Sequence, residues 1–341
     1  MATLAEPLAQ AAPPSGPTFR IRGLTVNYRV EQGDFPAVRD VDLDIPAGRI
    51  SAIIGESGSG KSTLALSLMN GVPHPGRVVR GSIEHPAVGN ILALEREALR
   101  RFRGEHLGIV FQASQSSLNP LKRVGSQLLD LARSHGADPR ALLADAQALC
   151  RRLALDPDRV LVAYQHQLSG GMRQRVGLIF ALALKPGVLL LDEPTTALDV
   201  LSQKTVLEIV RELHAERQLT TVLITHDLGV VAELADETAV MYAGQVVEQG
   251  PTAALLRSPR HPYTRALGRA MPRLTGDTRK AQPLVGQPPD LASIPTEGCV
   301  FRERCAYRMA VCDTVRPPLL AVAEGHLSAC HLPAEEGDVR D

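Results

Sequence analysis

Gly55-Glu56-Ser57-Gly58-Ser59-Gly60-Lys61-Ser62-Thr63 is the stretch that decides the fold. Ahead of it, the apolar run Ile50-Ser51-Ala52-Ile53-Ile54 predicts a buried parallel strand. Behind it, Leu64-Ala65-Leu66-Ser67-Leu68-Met69 predicts a helix. Strand, glycine-rich turn and helix is the order that the pattern G-x-x-x-x-G-K-[ST] requires. Glycines allow backbone torsions that other residues resist, so successive N–H groups can point inward at phosphate oxygens. The helix N-terminus adds partial positive charge. Lys61 is then placed to reach the β- and γ-phosphates of a nucleotide, and the Ser62 hydroxyl to ligate Mg²⁺. A purely structural glycine turn is the bland alternative, and the flanking strand and helix argue against it.

Working outward, the 341-residue chain is long enough for one large domain with an appendage, or for two domains. Lysine plus arginine and aspartate plus glutamate number 37 each, a balance that argues against a nucleic-acid binder. No apolar run approaches the roughly 20 residues that span a bilayer. The strongest candidate, Val176 to Leu184, stops at Lys185-Pro186-Gly187. Met1 to Pro17 is Ala/Pro-rich and lacks a basic segment, so it reads as a disordered tail and not as a signal peptide. The expectation is a cytosolic protein whose membrane connection, if any, runs through partners.

The segments around the loop read as α/β. Phe19 to Tyr28 alternates as a half-exposed strand, and Val38 to Ile45 reads as a second strand that turns at Pro46-Ala47-Gly48. Tyr28 ends the first strand and could offer its ring to a base, or be an ordinary strand aromatic. Gly81 to Leu94 reads as strand and turn, and Glu95 to Arg103 as a short charged helix. Leu107 to Phe111 is a buried strand that delivers Gln112 at its carboxyl end, where ligands bind in α/β sheets. From Leu121 to about Tyr164, leucines at spacings of three and four predict a helical insert, broken at Asp156-Pro157-Asp158.

Three further features bear on chemistry. Ser169 can cap the helix that follows Gly170 and Gly171, whose N–H groups form a second potential phosphate grip. Val188 to Leu191 is a buried strand ending in Asp192, placed to hold Mg²⁺ through water, and Glu193, placed to orient or deprotonate an attacking water. Thr221 to Thr225 is another buried strand, and it delivers His226, which could contact a γ-phosphate.

Taken in order, the loop, Gln112, Leu168-Ser169-Gly170-Gly171-Met172, Leu189-Leu190-Leu191-Asp192-Glu193-Pro194, Ala197-Leu198-Asp199 and His226 resemble the ATPase subunit of an ABC transporter. The resemblance implies an α/β P-loop core with an antiparallel β subdomain and a helical insert. It implies ATP and Mg²⁺ as ligands, with Gly55 to Thr63 as the Walker A loop and Tyr28 as the adenine-stacking aromatic. Gln112 would be the Q-loop, sensing the γ-phosphate and the metal. Asp192 and Glu193 would be Walker B, Asp199 the D-loop and His226 the switch histidine. Ser169, Gly170 and Gly171 would be the signature that closes over a second subunit's ATP.

The match extends to the oligopeptide/dipeptide importer branch. Ser117-Leu118-Asn119-Pro120, Met241-Tyr242-Ala243-Gly244 and Pro259-Arg260-His261-Pro262-Tyr263-Thr264 are similar to that branch, as is a tail with cysteines. One departure is Gln165, where the branch has proline; it touches no chemistry. The implied division is a tail over 1–17, an ATPase domain over 18–272 with its insert at about 115–185, and a C-terminal region over 273–341. The implied partners are a second, different ATPase subunit, two transmembrane permeases and an extracytoplasmic substrate-binding protein, with no nucleic acid. The chain would sit at the cytoplasmic face of the membrane through its permeases. A DNA-acting ABC ATPase would need a long coiled coil or a basic surface, and a translation-type protein would need a second motif set in the chain. Relatives in this branch are associated with peptides, nickel, glutathione or oligosaccharides, so the resemblance implies ATP-driven uptake of peptides or a related small solute.

Cys299, Cys305, Cys312 and Cys330 follow the spacing C-x5-C-x6-C-x17-C and make up four of the five cysteines. Disulfides are disfavoured in a reducing compartment. The open readings are an iron–sulfur cluster, zinc and free thiols. Zinc usually shows tighter C-x2–4-C knuckles. Wide, irregular spacing suits a [4Fe–4S] cube, and the tail of the importer branch resembles such a site. Arg302, Arg304 and Arg308 could offset the charge of such a cluster or be solvated, and the tail's expected role is structural. Cys150 reads as a buried core thiol.

Overall fold

Two sheets position the loop. The computed structural model describes residues 16–31, 33–111, 118–195, 199–270 and 284–333. Gln112, the Thr196-Ala197-Leu198 segment and most of the N-terminal tail therefore lie outside the described residues.

The first sheet is antiparallel, in the order β2-β1-β4-β5. It comprises β1 (Pro17–Val30), β2 (Gly33–Pro46), β4 (Gly76–His85) and β5 (Gly89–Asn90). Alternation buries Phe19 and Ile21, and a bulge between Ile21 and Leu24 shifts the register so that Leu24 and Val26 are buried too. Tyr28 pairs with Phe35 of β2 on one side and Gly76 of β4 on the other.

The second sheet has the order β11-β12-β10-β9-β3-β8-β7-β6. Its parallel centre is β3 (Ile50–Ile54), β6 (Leu107–Val110), β7 (Val188–Asp192) and β8 (Thr220–Ile224), with β9 (Glu237–Tyr242) parallel to β3. β3, β7 and β8 are buried along their whole length, as continuous apolar runs require when both faces are covered. Between β6 and β7 run the helices Val124–His135, Pro139–Arg152, Pro157–Val160 and Gly170–Leu182. Asp138 and Asp156 cap two of them by accepting from the Arg140 and Asp158 N–H groups. Leu128, Leu142, Leu149 and Cys150 join one continuous core with Leu189, Leu191 and Leu223.

The tail is built into the main sheet. β11 (Leu320–Ala323) and β12 (His326–Ser328) form a hairpin, and β12 pairs with β10 (Gln245–Pro251), so the tail extends the main sheet. Ile294, Cys299, Val300, Phe301 and Cys312 share a core with Tyr242, Tyr263, Ile54 and Val240. Tyr242, Tyr263 and Phe301 meet ring to ring, with centroids 4.6 to 5.3 Å apart. Glu248 is fully buried. It accepts from the Arg260 N–H at 2.6 Å and the His261 N–H at 3.0 Å, and pairs with His326 Nε2 at 2.7 Å. A buried carboxylate needs that many donors to repay its lost hydration. The tail lacks an independent core because it shares one with the main sheet.

Candidate nucleotide site

Adjacent parallel strands β3, β8 and β7 end on the same side of the sheet. The loop therefore follows β3, the two carboxylates end β7 and His226 follows β8. Register does the fine placement: Asp192 pairs with Ile224, and the Glu193 N–H donates to the Ile224 carbonyl at 2.9 Å. Glu193 has φ of 49°, a left-handed conformation uncommon for glutamate, which turns its side chain off the strand direction.

The loop needs glycine at specific points. Gly60 has φ of +99°, and a Cβ there would lie 2.3 Å from the Ala37 carbonyl oxygen. At Gly55 a Cβ would meet the Met241 carbonyl oxygen at 2.2 Å. Only the bare backbone fits between β2, β9 and the helix Lys61–Ser67.

Lys61 is 6% exposed, and its Nζ donates to the carbonyls of Gly55 at 2.9 Å and Glu56 at 2.8 Å. Burial pulls its pKa below that of a free lysine, and the carboxylates of Glu193, Asp192 and Glu56 oppose that shift. Ser62 Oγ donates to Asp192 Oδ1 at 3.2 Å, so two hard oxygen donors meet where Mg²⁺ chemistry would need them. Burial raises the Asp192 pKa, the neighbouring Glu193 charge adds to the rise, and the Ser62 hydrogen bond and Lys61 counter it. His226 Nδ1 lies 3.2 Å from Glu193 Oε1.

The cleft beside the loop is lined by Tyr28, Ala37, Ser57, Gly58, Gly60, Lys61, Ser62, Thr63, Glu193 and Leu291. Ser59 is buried within the loop itself. Ser169, Gly170, Gly171 and Asp199 do not line this cleft. Ser169 instead caps the helix Gly170–Leu182 by accepting from the Met172 N–H, and Asp199 caps Val200–Arg217 by accepting from Ser202.

Two groups that matter were not legible in sequence. Leu291, from the tail, forms part of the cleft wall. Arg304 is neither solvated nor a surface charge: its side chain is 6% exposed and forms a forked ion pair with Glu56 of the loop, at 2.6 and 3.0 Å. No local motif signals either, because the partners lie more than 200 residues apart in the chain.

The four tail cysteines converge. Among Cys299, Cys305, Cys312 and Cys330, every pair is close enough for one thiolate's charge to oppose ionisation of the other. Burial leads in raising the thiol pKa values of Cys299, Cys305 and Cys330, that of Cys299 to about 11. Cys330 accepts at sulfur from the Leu332 N–H at 3.5 Å, a contact that favours the thiolate. Among the described residues, no three or more His, Cys, Asp or Glu side chains are gathered tightly enough to hold a metal ion.

A parallel sheet with a glycine-rich phosphate loop, a Ser–Asp pair and a Glu–His pair at adjacent strand ends defines a P-loop ATPase cassette. Residues 38–196 match the ABC transporter family, and residues 247–312 match the oligopeptide/dipeptide transporter C-terminal region. The chain is 39% identical to the dipeptide transport ATP-binding protein DppD of Caldanaerobacter subterraneus over 322 residues, 94% of this chain and 98% of that protein. It is 37% identical to the oligopeptide transport ATP-binding protein OppD of Salmonella typhimurium over 336 residues, 98% of this chain and 99% of that one. Among solved structures it resembles the dimeric ABC transporter cassette MJ0796, with a TM-score of 0.61 and 26% identity, covering 69% of this chain and 98% of that one. A post-hydrolysis state of MJ0796 bound to ADP and Pi gives a TM-score of 0.60 at 26% identity, with the same coverage. The chain belongs to the ABC transporter ATP-binding subunits, in the oligopeptide/dipeptide transporter family, and is an ABC-type ATPase.

Proposed function

We propose that this chain is the motor of a peptide importer, binding and hydrolysing ATP to drive uptake across the cytoplasmic membrane. The observation that carries the reading is the meeting of Lys61, Ser62, Asp192, Glu193 and His226 at three neighbouring strand ends. Lys61, released from the Gly55 and Glu56 carbonyls, binds the β- and γ-phosphates. The loop N–H groups from Ser57 to Thr63 cradle the phosphate chain, and Tyr28 faces the base. Ser62, Asp192 and Gln112 would hold Mg²⁺, which supplies charge neutralisation on the phosphate oxygens when bound. Glu193 orients the attacking water and takes its proton, while His226 fixes the Glu193 carboxylate and senses the γ-phosphate.

Ser169, Gly170, Gly171 and Asp199 lie outside the cleft, which supports a composite site: they serve the ATP of a second cassette packed head to tail. That second cassette is a different ATPase subunit. ATP holds the two motors together, hydrolysis releases them, and the difference in binding switches two attached permeases between their states. A substrate-binding protein outside the membrane delivers the peptide. No helix among the described residues is long and apolar enough to cross a bilayer. The chain attaches to the membrane through the permeases. Residues 18–272 form the ATPase domain, the insert at about 115–185 docks the permeases, and 273–341 form the C-terminal region. Titration of ATP–Mg²⁺ into wild-type and Lys61→Ala chains tests the site. The variant loses binding by more than tenfold, and equal affinity in both rejects the loop assignment.

The mutual approach of the four tail thiols and the N–H···S contact at Cys330 support a [4Fe–4S] cluster held by Cys299, Cys305, Cys312 and Cys330. Anaerobic purification with iron, sulfide and zinc analysis tests this. Stoichiometric zinc, or protein free of iron, rejects it.

A further inference from the structure

Glu56 stands inside the phosphate loop, yet all three of its polar groups are held by something else. Its carbonyl accepts from Lys61 Nζ at 2.8 Å. Its N–H donates to the Tyr263 hydroxyl at 2.8 Å. Its carboxylate is gripped by both terminal nitrogens of Arg304. Arg304 is held in turn. Its Nε donates to the Val285 carbonyl at 2.8 Å, a terminal nitrogen donates to the Gly286 carbonyl at 3.3 Å, and the other reaches the Tyr242 hydroxyl at 3.4 Å. The guanidinium also lies over the Tyr242 and Phe301 rings, 5.7 and 6.0 Å from their centroids. Arg304 sits directly before Cys305, so the folding of the cysteine-bearing tail sets its position.

The placement raises an electrostatic problem that Arg304 solves. A phosphate loop gathers positive potential for a polyanion, and a bare Glu56 carboxylate within it would repel that anion. Its burial beside low-dielectric walls would strengthen the repulsion. A second contact ties the same tail to the same cleft: Leu291 lines it, and the Arg39 guanidinium on β2 donates to the Pro295 carbonyl.

We propose that Arg304 is a positioning residue of the nucleotide site: it neutralises Glu56 and so makes the C-terminal region a determinant of ATP affinity. This rests on the ATP-site reading above. The function it gives the tail goes beyond stapling, because the tail acts on the loop through a half-buried ion pair. The coupling affects binding more than the chemical step, since the pair acts on the loop backbone through the held N–H and carbonyl of Glu56.

The test measures ATP–Mg²⁺ affinity and single-turnover hydrolysis on the full-length chain, with a thermal melt for each variant. Arg304→Met keeps the apolar stem and removes the charge. Affinity is expected to fall about 10- to 100-fold, the usual range for coupling between sites, while hydrolysis of bound ATP changes less than threefold. In the double variant Arg304→Met with Glu56→Gln, affinity is expected to recover to within about threefold of wild type. Glu56→Gln alone is expected to bind at least as tightly as wild type, and it decides the matter if Arg304→Met does not fold. Wild-type affinity in Arg304→Met overturns the proposal. So does a double variant as weak as Arg304→Met, or a Glu56→Gln variant that binds weakly, since both indicate a purely structural pin. Lys61→Ala run alongside separates the two failures. If Lys61→Ala binds normally, the loop is not the ATP site; if it fails while Arg304→Met binds normally, only the coupling is wrong.

Discussion

Glu193→Gln isolates the chemical step. The Glu193 backbone is fixed by its N–H bond to Ile224, and its side chain is only 14% exposed. Glutamine is isosteric and can keep a contact with His226, 3.2 Å away. What it cannot do is accept a proton from water. General-base catalysis contributes about 10²- to 10⁴-fold, so turnover is expected to fall by that factor, or about 2.7–5.5 kcal/mol in activation free energy. ATP affinity is expected to hold within about threefold or to tighten, because one negative charge leaves the phosphate cleft. A second effect follows from Lys61. Burial lowers its pKa and the Glu193 carboxylate opposes the shift, so removing that charge lowers it further. The alkaline limb of ATP binding therefore moves to lower pH in the variant. Phosphate release by rapid quench, with equilibrium binding of ATP–Mg²⁺ across pH 7 to 11, reads both effects. Turnover within threefold of wild type, or loss of binding in parallel with turnover, would refute the assignment.

His226→Ala is expected to reduce turnover at least tenfold with ATP binding retained, measured by the same quench; unchanged turnover removes His226 from the site. Gly60→Ala must move the loop away from the Ala37 carbonyl and strain a positive-φ position, so ATP affinity should drop more than tenfold, with about 1–3 kcal/mol lost in urea unfolding. The acid side of stability is set partly by His85 and His261, whose burial lowers both pKa values to about 4. Both stay neutral in the fold while the unfolded chain takes up protons below about pH 6.5, so stability is full above that value and falls as pH drops toward 4. His85→Phe, packed among Phe19 and Phe102, should flatten part of that slope in pH-dependent urea unfolding; an unchanged slope assigns it to other groups.

The centre of this fold is legible because its signals are local. The strand before Gly55, the helix after Lys61 and the carboxylates ending β7 each follow from a run of fewer than ten residues. Their convergence follows from parallel strands having to end on one side. The tail is different. The β11–β12 hairpin is too short to signal itself, and it is stable only because β10 supplies its neighbouring edge and Glu248 its buried partner. Arg304 reads as one of three tail arginines, and nothing in its flanks distinguishes it from Arg308, which stays at the surface with Asp313 and Glu303. Burial by Tyr242 and Phe301 makes the difference, and that depends on contacts across the chain.

ATP-driven peptide uptake tests the central claim most directly. The chain would be reconstituted with its partner ATPase, two permeases and binding protein in vesicles whose cytoplasmic face is exposed to ATP–Mg²⁺, and movement of a labelled dipeptide across the membrane followed. ATP should drive transport from the binding-protein side to the ATPase side, and Glu193→Gln in this chain should reduce it at least tenfold while nucleotide binding persists. ATP hydrolysis that moves no dipeptide or oligopeptide, or transport indifferent to Glu193→Gln, would contradict the account.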